Sequence, residues 1–452
     1  MRTKNRSIRE VAFRALNRVL FEGAYPDLAL DVLFRENPHL AGQSTALLTE
    51  LVYGVVRWLR KLDYVISLFA SKVQIKEVQN ILRLGVYQLL FLDGVPDYAS
   101  ISETVNVAKN IYGKKVGNFV NAVLREVVRK REKIKYPEKE NDLIEYLSVE
   151  HSFPNWLVKK WLEIFGFDYT DKLCVSMNQV PPLTIRFNSL KTTRIELMEQ
   201  LENRGIELVP TQLSQYGLRI LSKLDPASIP EFHLGHFTVQ DEAAQLVSCL
   251  LDPKPGERVL DACCAPGGKT THMAELMQNI GEVVACDINQ SRLGLVEAQA
   301  DRLGIEIIDT VRADASVVNE AKVFQSKFDK ILVDAPCSGL GTLRRNPDAR
   351  WRRTEKDILE LSEIQFKILL QTAKMLKPDG VMVYAVCTLM PEENEILCKR
   401  FLWENTELEI DSGISSIFQF GSGFLNQDRF FVSDPVLHST DGFFAARFRK
   451  IN

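Results

Sequence analysis

The sequence predicts a Rossmann-like α/β domain in its carboxyl-terminal half. An all-helical domain leads the chain and a small α+β connector joins the two. Three observations carry this reading. From about residue 236, short apolar runs alternate with helix-like segments, which is the pattern of a parallel, doubly wound sheet. Over residues 1–135, apolar side chains recur at helical spacing. The chain has 452 residues, too many for one ordinary core and suited to two or three domains. The boundaries read from these shifts are 1–135, 145–235 and 236–452.

In the first segment, Val11, Ala12, Ala15, Leu16, Val19 and Leu20 form one apolar stripe. Leu47, Leu48, Leu51, Val52, Val55 and Val56 form a second, and Ile81, Leu82, Val86, Leu89 and Leu90 a third. Ser100 and Glu103 have the spacing of a capping box ahead of another helix. Asn118 to Arg131 predicts a last helix with a basic end: Arg125, Arg129, Lys130, Arg131 and then Lys133. Pro137 and the charged residues after it read as a linker. In the connector, Trp156 to Ile164 is helix-like, while Thr184–Leu190, Ile206–Pro210 and Gly217–Leu221 are strand-like.

Charge is distributed unevenly. Residues 1–140 hold 23 Lys and Arg against 15 Asp and Glu, and the rest holds 33 against 44, so a basic region of +8 precedes a body of −11. A nucleic-acid arm would have this balance, and so would solvated helix faces. The basic start, Met1–Arg9, has no apolar run behind it, and no stretch approaches the roughly 18 apolar residues of a membrane span, so a cytoplasmic protein is expected. The chain has eight cysteines, none before Cys174 and no C-x-x-C pair, which argues against a disulfide framework and a structural zinc site; no metal is expected.

The predicted strands are Val259–Asp261, Val283–Asp287, Thr310–Asp314, Ile331–Asp334 and Val381–Val386. After the first comes Asp261-Ala-Cys-Cys-Ala-Pro-Gly-Gly-Lys-Thr270. Glycines at a strand-to-helix turn let a ligand approach the backbone. Gly268-Lys269-Thr270 fits the tail of a phosphate-binding loop, but Cys263 stands where its first glycine belongs. Asp287 ends the second strand, 19 residues after Gly268, where an acid commonly accepts hydrogen bonds from ribose hydroxyls. Asp261, Asp314 and Asp334 close the other three strands of one sheet rim. An adenosine-containing cofactor without a phosphate loop points to S-adenosylmethionine.

The fourth strand runs into Asp334-Ala-Pro-Cys337 and the fifth into Tyr384-Ala-Val-Cys387. If these strands are neighbours, about 5 Å apart, both thiols reach the ligand rim. Thiols there suit methyl transfer to carbon 5 of cytosine, which is a poor nucleophile. A thiolate that adds to carbon 6 makes carbon 5 an enamine carbon, and a base must then remove the carbon 5 proton before the enzyme is freed. An acid near ring N3 would stabilise the adduct, and Asp334 is placed for this if protonated. The base must be unstacked to enter. Cys263, Cys264, Cys286 and Cys398 read as inert core thiols by their pattern, and a regulatory Cys337–Cys387 disulfide does not suit the cytosol. Arg344, Arg345, Arg350, Arg352 and Arg353, with Trp351 among them, would suit phosphates and a stacked base, or a solvated loop.

Asp334-Ala-Pro-Cys-Ser-Gly-x-Gly-x-x-Arg-Arg-x-Pro-Asp348 and Cys387-Thr-x-x-Pro-Glu-Glu-Asn-Glu395 resemble the paired signatures of RNA cytosine-C5 methyltransferases. Cys263-Cys-Ala-Pro-Gly-Gly-Lys269 is similar to their cofactor loop and Asp441-Gly-Phe-Phe-Ala-Ala446 to their last strand. Leu51-Val-Tyr-Gly-Val-Val-Arg57 and Phe119-Val-Asn-Ala-Val-Leu-Arg125 resemble the NusB-type RNA-binding domain. His151-Ser-Phe-Pro-Asn-Trp-Leu157 and Gln240-Asp-Glu-Ala-Ala-Gln245 also resemble family segments. The combination looks like the Sun/Fmu type of small-subunit ribosomal RNA methyltransferase over nearly the whole chain.

The resemblance implies Cys387 as nucleophile and Cys337 as the thiol that assists product release. It implies S-adenosylmethionine bound by Cys263, Cys264, Ala265, Pro266, Gly267, Gly268, Lys269, Asp287, Asp314 and Asp334. The partner it implies is small-subunit ribosomal RNA, naked or partly assembled, with no membrane and a monomer favoured. Lys269 is a candidate substrate contact. Two departures stand beside the signatures: Ala385-Val386 where many members have Ser-Thr, and Cys264 where many have Ala. The rival readings are a P-loop nucleotide hydrolase, a non-catalytic RNA-binding assembly factor, and the same chemistry on transfer RNA.

Overall fold

The three apolar stripes of the leading segment turn inward. Val11, Ala15, Leu16, Leu48, Leu51, Val52, Val55, Ile81, Leu82 and Val86 are all fully buried in one core. They lie on helices Ile8–Phe21, Gln43–Arg57 and Lys76–Phe91, joined by Pro26–Glu36, Leu59–Phe69, Asp97–Tyr112 and Lys114–Lys130. The computed structural model describes residues 6–40, 43–317, 324–411, 413 and 422–451. The first five residues of the basic start therefore lie outside the described residues. No helix among the described residues is long and apolar enough to cross a membrane.

Two local expectations change. The helix expected to begin at Ser100 begins at Asp97, with Pro96 at its N-cap. Proline holds its own φ near −65° and keeps the residue before it extended, so it sets the boundary ahead of the serine. Ser100 is then a buried residue within the helix. The last basic helix starts at Lys114, earlier than Asn118, directly after Gly113 at φ 87°.

The chain divides into two compact units, Met1–Asn178 with Asn346–Arg352, and Gln179–Arg345 with Arg353–Asn452. The division falls at residue 178, within the expected 145–235 segment. Its helices Leu143–Glu150 and Asn155–Asn178 belong to the first unit. Arg60 pairs with Glu145 at 2.8 Å, Lys61 pairs with Glu150 at 3.0 Å, and the Arg60 amide donates to Ser152 Oγ at 2.9 Å. Phe153 and Trp161 are wholly buried.

The second unit holds two sheets. Strands β1 (Leu183–Phe187), β2 (Leu208–Pro210), β3 (Gly217–Ile220) and β4 (Phe237–Val239) form an antiparallel sheet in the order β2–β3–β1–β4. Pairing of β4 with β1 carries the small sheet past the boundary expected at residue 236. The larger sheet contains β5 (Arg258–Asp261), β6 (Glu282–Asp287), β7 (Ile308–Arg312), β8 (Phe328–Asp334), β9 (Leu376–Val386), β10 (Leu408–Ile410), β11 (Phe431–Ser433) and β12 (Phe443–Lys450). Its order is β10–β12–β9–β8–β5–β6–β7, with β11 also paired to β12.

Strands β5 to β9 are parallel, as their near-continuous apolar runs require. Strand β12 lies antiparallel between β9 and β10. The chain order of the parallel strands reverses on either side of β5, which puts a ligand crevice at their carboxyl ends. Ala385 and Val386, the departures beside Cys387, are wholly buried in β9 between β8 and β12.

Candidate active site

Register brings the two cysteines together. Asp334 at the end of β8 lies opposite Ala385 of β9. Three residues past the first and two past the second, Cys337 Sγ and Cys387 Sγ are 3.4 Å apart, and both residues are half-buried. The contact with Cys387, together with burial, pushes the Cys337 thiol well above its ordinary pKa.

Lys269 and Asp334 form an ion pair beside them, Nζ to Oδ2 at 2.7 Å. Burial pulls the lysine pKa down, but the charge and hydrogen bond of Asp334 outweigh it, and the net displacement is upward. Lys269 Nζ donates to the Asp334 carboxylate. Asp334 and Lys269 thus stand together at the rim, beside the two thiols. Its Nζ also lies 5.2 Å from the centre of the Phe443 ring.

Cys263 to Gly268 form the turn between β5 and the helix Gly268–Leu276. Gly267 has φ +105°, and a Cβ there would lie 3.1 Å from Val296 Cα, so both backbone and packing call for glycine. The loop's carbonyls are tied down from several sides. Ala265 O accepts from Arg292 at 2.7 Å, Pro266 O from Gln299 at 3.2 Å and Gly268 O from Arg186 at 2.7 Å. The Cys264 side chain packs with Leu293 and Val296, and its amide donates to Cys286 O at 2.9 Å. Cys263 is half-buried, and burial first, then Asp261, raises its thiol.

The rim acids differ from one another. Asp287 ends β6, accepts from the Asn289 amide at 2.8 Å and pairs with Arg292 at 3.5 Å. Asp314 does not close β7, which ends at Arg312; it sits two residues on and accepts from Ser316 N at 2.9 Å and Ser316 Oγ at 2.6 Å. Asp261 is 1% exposed and accepts from Thr270 Oγ1 at 2.7 Å, so it braces the loop from below. Burial pushes its carboxyl up to about 7, with Asp334 adding to the effect.

The arginine run is not a phosphate surface. Arg344 and Arg345 both pair with Asp441, at 2.5 and 2.6 Å, and Arg345 also pairs with Asp241 at 2.6 Å. Arg353 Nε donates to Ser338 O at 3.1 Å. Within the helical unit, Arg350 is wholly buried and donates to Ser152 O at 3.1 Å and Asn178 Oδ1 at 2.9 Å. Burial, then Arg57, lowers it to about 9. Trp351 Nε1 donates to Val56 O at 2.7 Å, and Arg352 donates to Gly23 O at 2.7 Å. These side chains are spent on carboxylates and carbonyls, so they hold loops rather than RNA.

Two features escaped the sequence reading. Buried Arg186 pairs with buried Glu275 at 2.7 Å and joins β1 to the helix Gly268–Leu276. Glu393, wholly buried, receives Ser338 N at 2.8 Å, Gln365 Nε2 at 2.9 Å and Thr388 Oγ1 at 3.0 Å. The signal for Glu393 was the Pro-Glu-Glu-Asn run after Cys387; nothing near Arg186 singled it out.

A parallel nucleotide-type sheet with a glycine turn after β5, an acid at the end of β6 and paired thiols after β8 and β9 defines a methyltransferase of the Rossmann-like class. Residues 248–449 match the family described as 16S rRNA methyltransferase RsmB/F, residues 6–129 the NusB family, and residues 153–226 the RsmF/B-like ferredoxin-like domain. The probable ribosomal RNA small subunit methyltransferase B of Bacillus subtilis is 38% identical over 99% of both chains. The ribosomal RNA small subunit methyltransferase B of Yersinia enterocolitica is 34% identical over 89% of this chain and 92% of its own. A crystal structure 29% identical covers 99% of this chain and 100% of its own, with a TM-score of 0.81.

The chain belongs to the RsmB/F methyltransferase family and carries its NusB domain. It is an RNA methyltransferase whose cofactor is S-adenosylmethionine. The rim fits that group: Gly267 keeps the turn open, and Asp287 offers the acceptor that ribose hydroxyls need.

Proposed function

We propose that this enzyme methylates carbon 5 of a cytosine in 16S ribosomal RNA through a covalent bond between Cys387 and carbon 6 of the ring. The observation that carries the reading is the pair of thiols 3.4 Å apart beside the Lys269–Asp334 ion pair. Two sulfur atoms in contact suit an addition to the ring followed by an elimination. The relatives named above, as ribosomal RNA small subunit methyltransferases, support the substrate.

Each side chain then has a task. The Cys263–Lys269 loop, Asp287, Asp314 and Asp334 hold S-adenosylmethionine, which supplies an electrophilic methyl group. Cys387 attacks carbon 6 as a thiolate, and the S–H of Cys337 stabilises that sulfur before attack and again as it leaves. Lys269 donates to the ring at N3 or O2, and the Asp334 carboxylate accepts from the exocyclic amine. Carbon 5 takes the methyl group, its proton passes to a base, and the carbon 6–sulfur bond breaks to restore the aromatic ring. The helical unit grips the RNA, and the carboxyl-terminal sheet does the chemistry. In this reading the enzyme acts as a monomer, in the cytoplasm where ribosomal RNA lies.

The test uses both thiols. Cys387→Ala abolishes methylation and forms no adduct, whereas Cys337→Ala accumulates a protein–RNA adduct that survives denaturing electrophoresis. Normal turnover by Cys337→Ala would remove its role. Bisulfite sequencing of ribosomal and transfer RNA from a deletion strain names the molecule and position; loss of a mark from transfer RNA alone would overturn the substrate.

A further inference from the structure

Glu393 is a carboxylate that the proposed chemistry does not use. It is wholly buried, and no cation is paired with it among the described residues. Such a group is expensive to bury unless its lone pairs are filled. Here they are filled from the two cysteine loops. Glu393 Oε1 accepts from Ser338 N at 2.8 Å and from Gln365 Nε2 at 2.9 Å. Oε2 contacts Ser338 Oγ at 2.5 Å and Thr388 Oγ1 at 3.0 Å, and those two hydroxyls are 2.7 Å from one another.

Ser338 is the residue after Cys337, and Thr388 is the residue after Cys387. One carboxylate thus ties the segment after β8 to the segment after β9, one residue beyond each thiol. Gln365 extends the tie: its Nε2 also donates to Pro336 O at 2.9 Å, and its Oε1 accepts from Tyr384 at 3.0 Å. Tyr384 lies on β9, and its hydroxyl is 2.7 Å from the Glu393 carbonyl. Both sides of the thiol pair are therefore braced through one residue.

We propose that Glu393 is the positioning residue that holds the two thiols in reach of each other, by bridging the residues that follow them. The proposal rests on the two-thiol reading above, but it concerns sulfur geometry and can fail separately. Glu393 touches neither sulfur nor any reacting atom, so it acts only through Ser338 and Thr388. The negative charge also adds to the burial and sulfur contact that keep the Cys337 proton in place.

The experiment reads the effective concentration of one thiol for the other, without RNA or cofactor. The full chain is equilibrated in glutathione redox buffers. Oxidised glutathione takes two electrons and two protons from the pair, leaving a Cys337–Cys387 disulfide and two reduced glutathiones, and mass spectrometry quantifies the linked peptides. Glu393→Ala should lower the effective concentration at least about tenfold, the scale of one lost charged hydrogen bond. Glu393→Gln should stay near the parent, because its amide oxygen keeps Ser338 N and Gln365 while the two hydroxyls rotate to accept from its amide nitrogen.

Thr388→Val, which cuts only the β9 side of the tether, should fall in the same direction and decides the matter if Glu393→Ala does not fold. An unchanged effective concentration in the folded Ala or Val variant overturns the proposal, and so does a Gln variant as impaired as Ala. With RNA present, Glu393→Ala should accumulate adduct while its KM for S-adenosylmethionine is unchanged. Cys387→Ala that still methylated would sink the two-thiol reading and leave the thiol measurement standing.

Discussion

Arg186→Met probes how the small sheet supports the cofactor loop. The guanidinium is wholly buried and reaches Glu275 Oε1 at 2.7 Å, Gly268 O at 2.7 Å and Thr271 Oγ1 at 3.1 Å, and it also bonds Gln240. Methionine keeps much of the reach and none of the donors. Glu275 is then a buried carboxylate without a partner cation, a defect that costs about 3–5 kcal/mol. Replacing both partners, as Arg186→Met with Glu275→Met, should recover most of that loss, since a buried ion pair exchanged for apolar groups of like volume is often near neutral.

The pH dependence follows from the parent. Burial already raises the Glu275 pKa, and Arg186 offsets only part of it. Without Arg186 the folded-state pKa rises further, so the folded chain binds a proton that the unfolded chain releases. The penalty is full above the folded pKa and fades as pH falls through it. Urea unfolding of the parent, both singles and the double variant at pH 8 and pH 5.5 measures all of this. A single variant within about 1 kcal/mol of the parent at pH 8, or a double variant as damaged as the single, would refute the argument. Because Arg186 also holds Gly268 O, calorimetry should show weaker S-adenosylmethionine binding by the single variant.

Two further expectations concern the same unit. Gly341→Ala places a Cβ 2.0 Å from Gly442 O and 3.0 Å from Cys387 O, both backbone atoms that cannot step aside. The loop after Cys337 must shift, so single-turnover methylation should fall well below a tenth of the parent rate, and parent-like turnover would show that the loop yields. His272 is wholly buried against the edge of Tyr216, and neither ring nitrogen has a hydrogen-bond partner among the described residues. Burial holds its pKa well below 6.5, so only the unfolded state takes up the proton as pH falls. Its stabilising contribution is present above pH 6.5 and is lost below it, at up to about 1.4 kcal/mol per pH unit. Melting curves between pH 5 and 7 should show His272→Met losing less stability on acidification than the parent.

Much of the site was legible because its signals are local. The strand ends at Asp261, Asp287 and Asp334, the glycine turn and both cysteines sit in short runs whose geometry follows from a few adjacent residues. Asp314 was misread by two residues, since an Asx turn through Ser316 and the end of a strand share residue types. The Ser100 cap was misread because Pro96 had already set the boundary. The arginine run was misread for a deeper reason. Arg344 and Arg345 meet Asp441 across almost a hundred residues, and no window contains both partners.

What the sequence alone determined are the properties that chain-local physics controls. Those are the helical stripes of the first domain, the parallel strands of the last, and the residue types in the turn after β5. Periodicity and turn chemistry act over a few residues and leave a readable trace. Only the tertiary structure decided the rest: the Lys269–Asp334 ion pair, the packing of Arg350 and Trp351, and the tether at Glu393. Each depends on which distant groups meet inside the fold. Desolvation and pairing there settle where a charge or proton resides, and the energies come from contacts that the linear order of the chain does not contain.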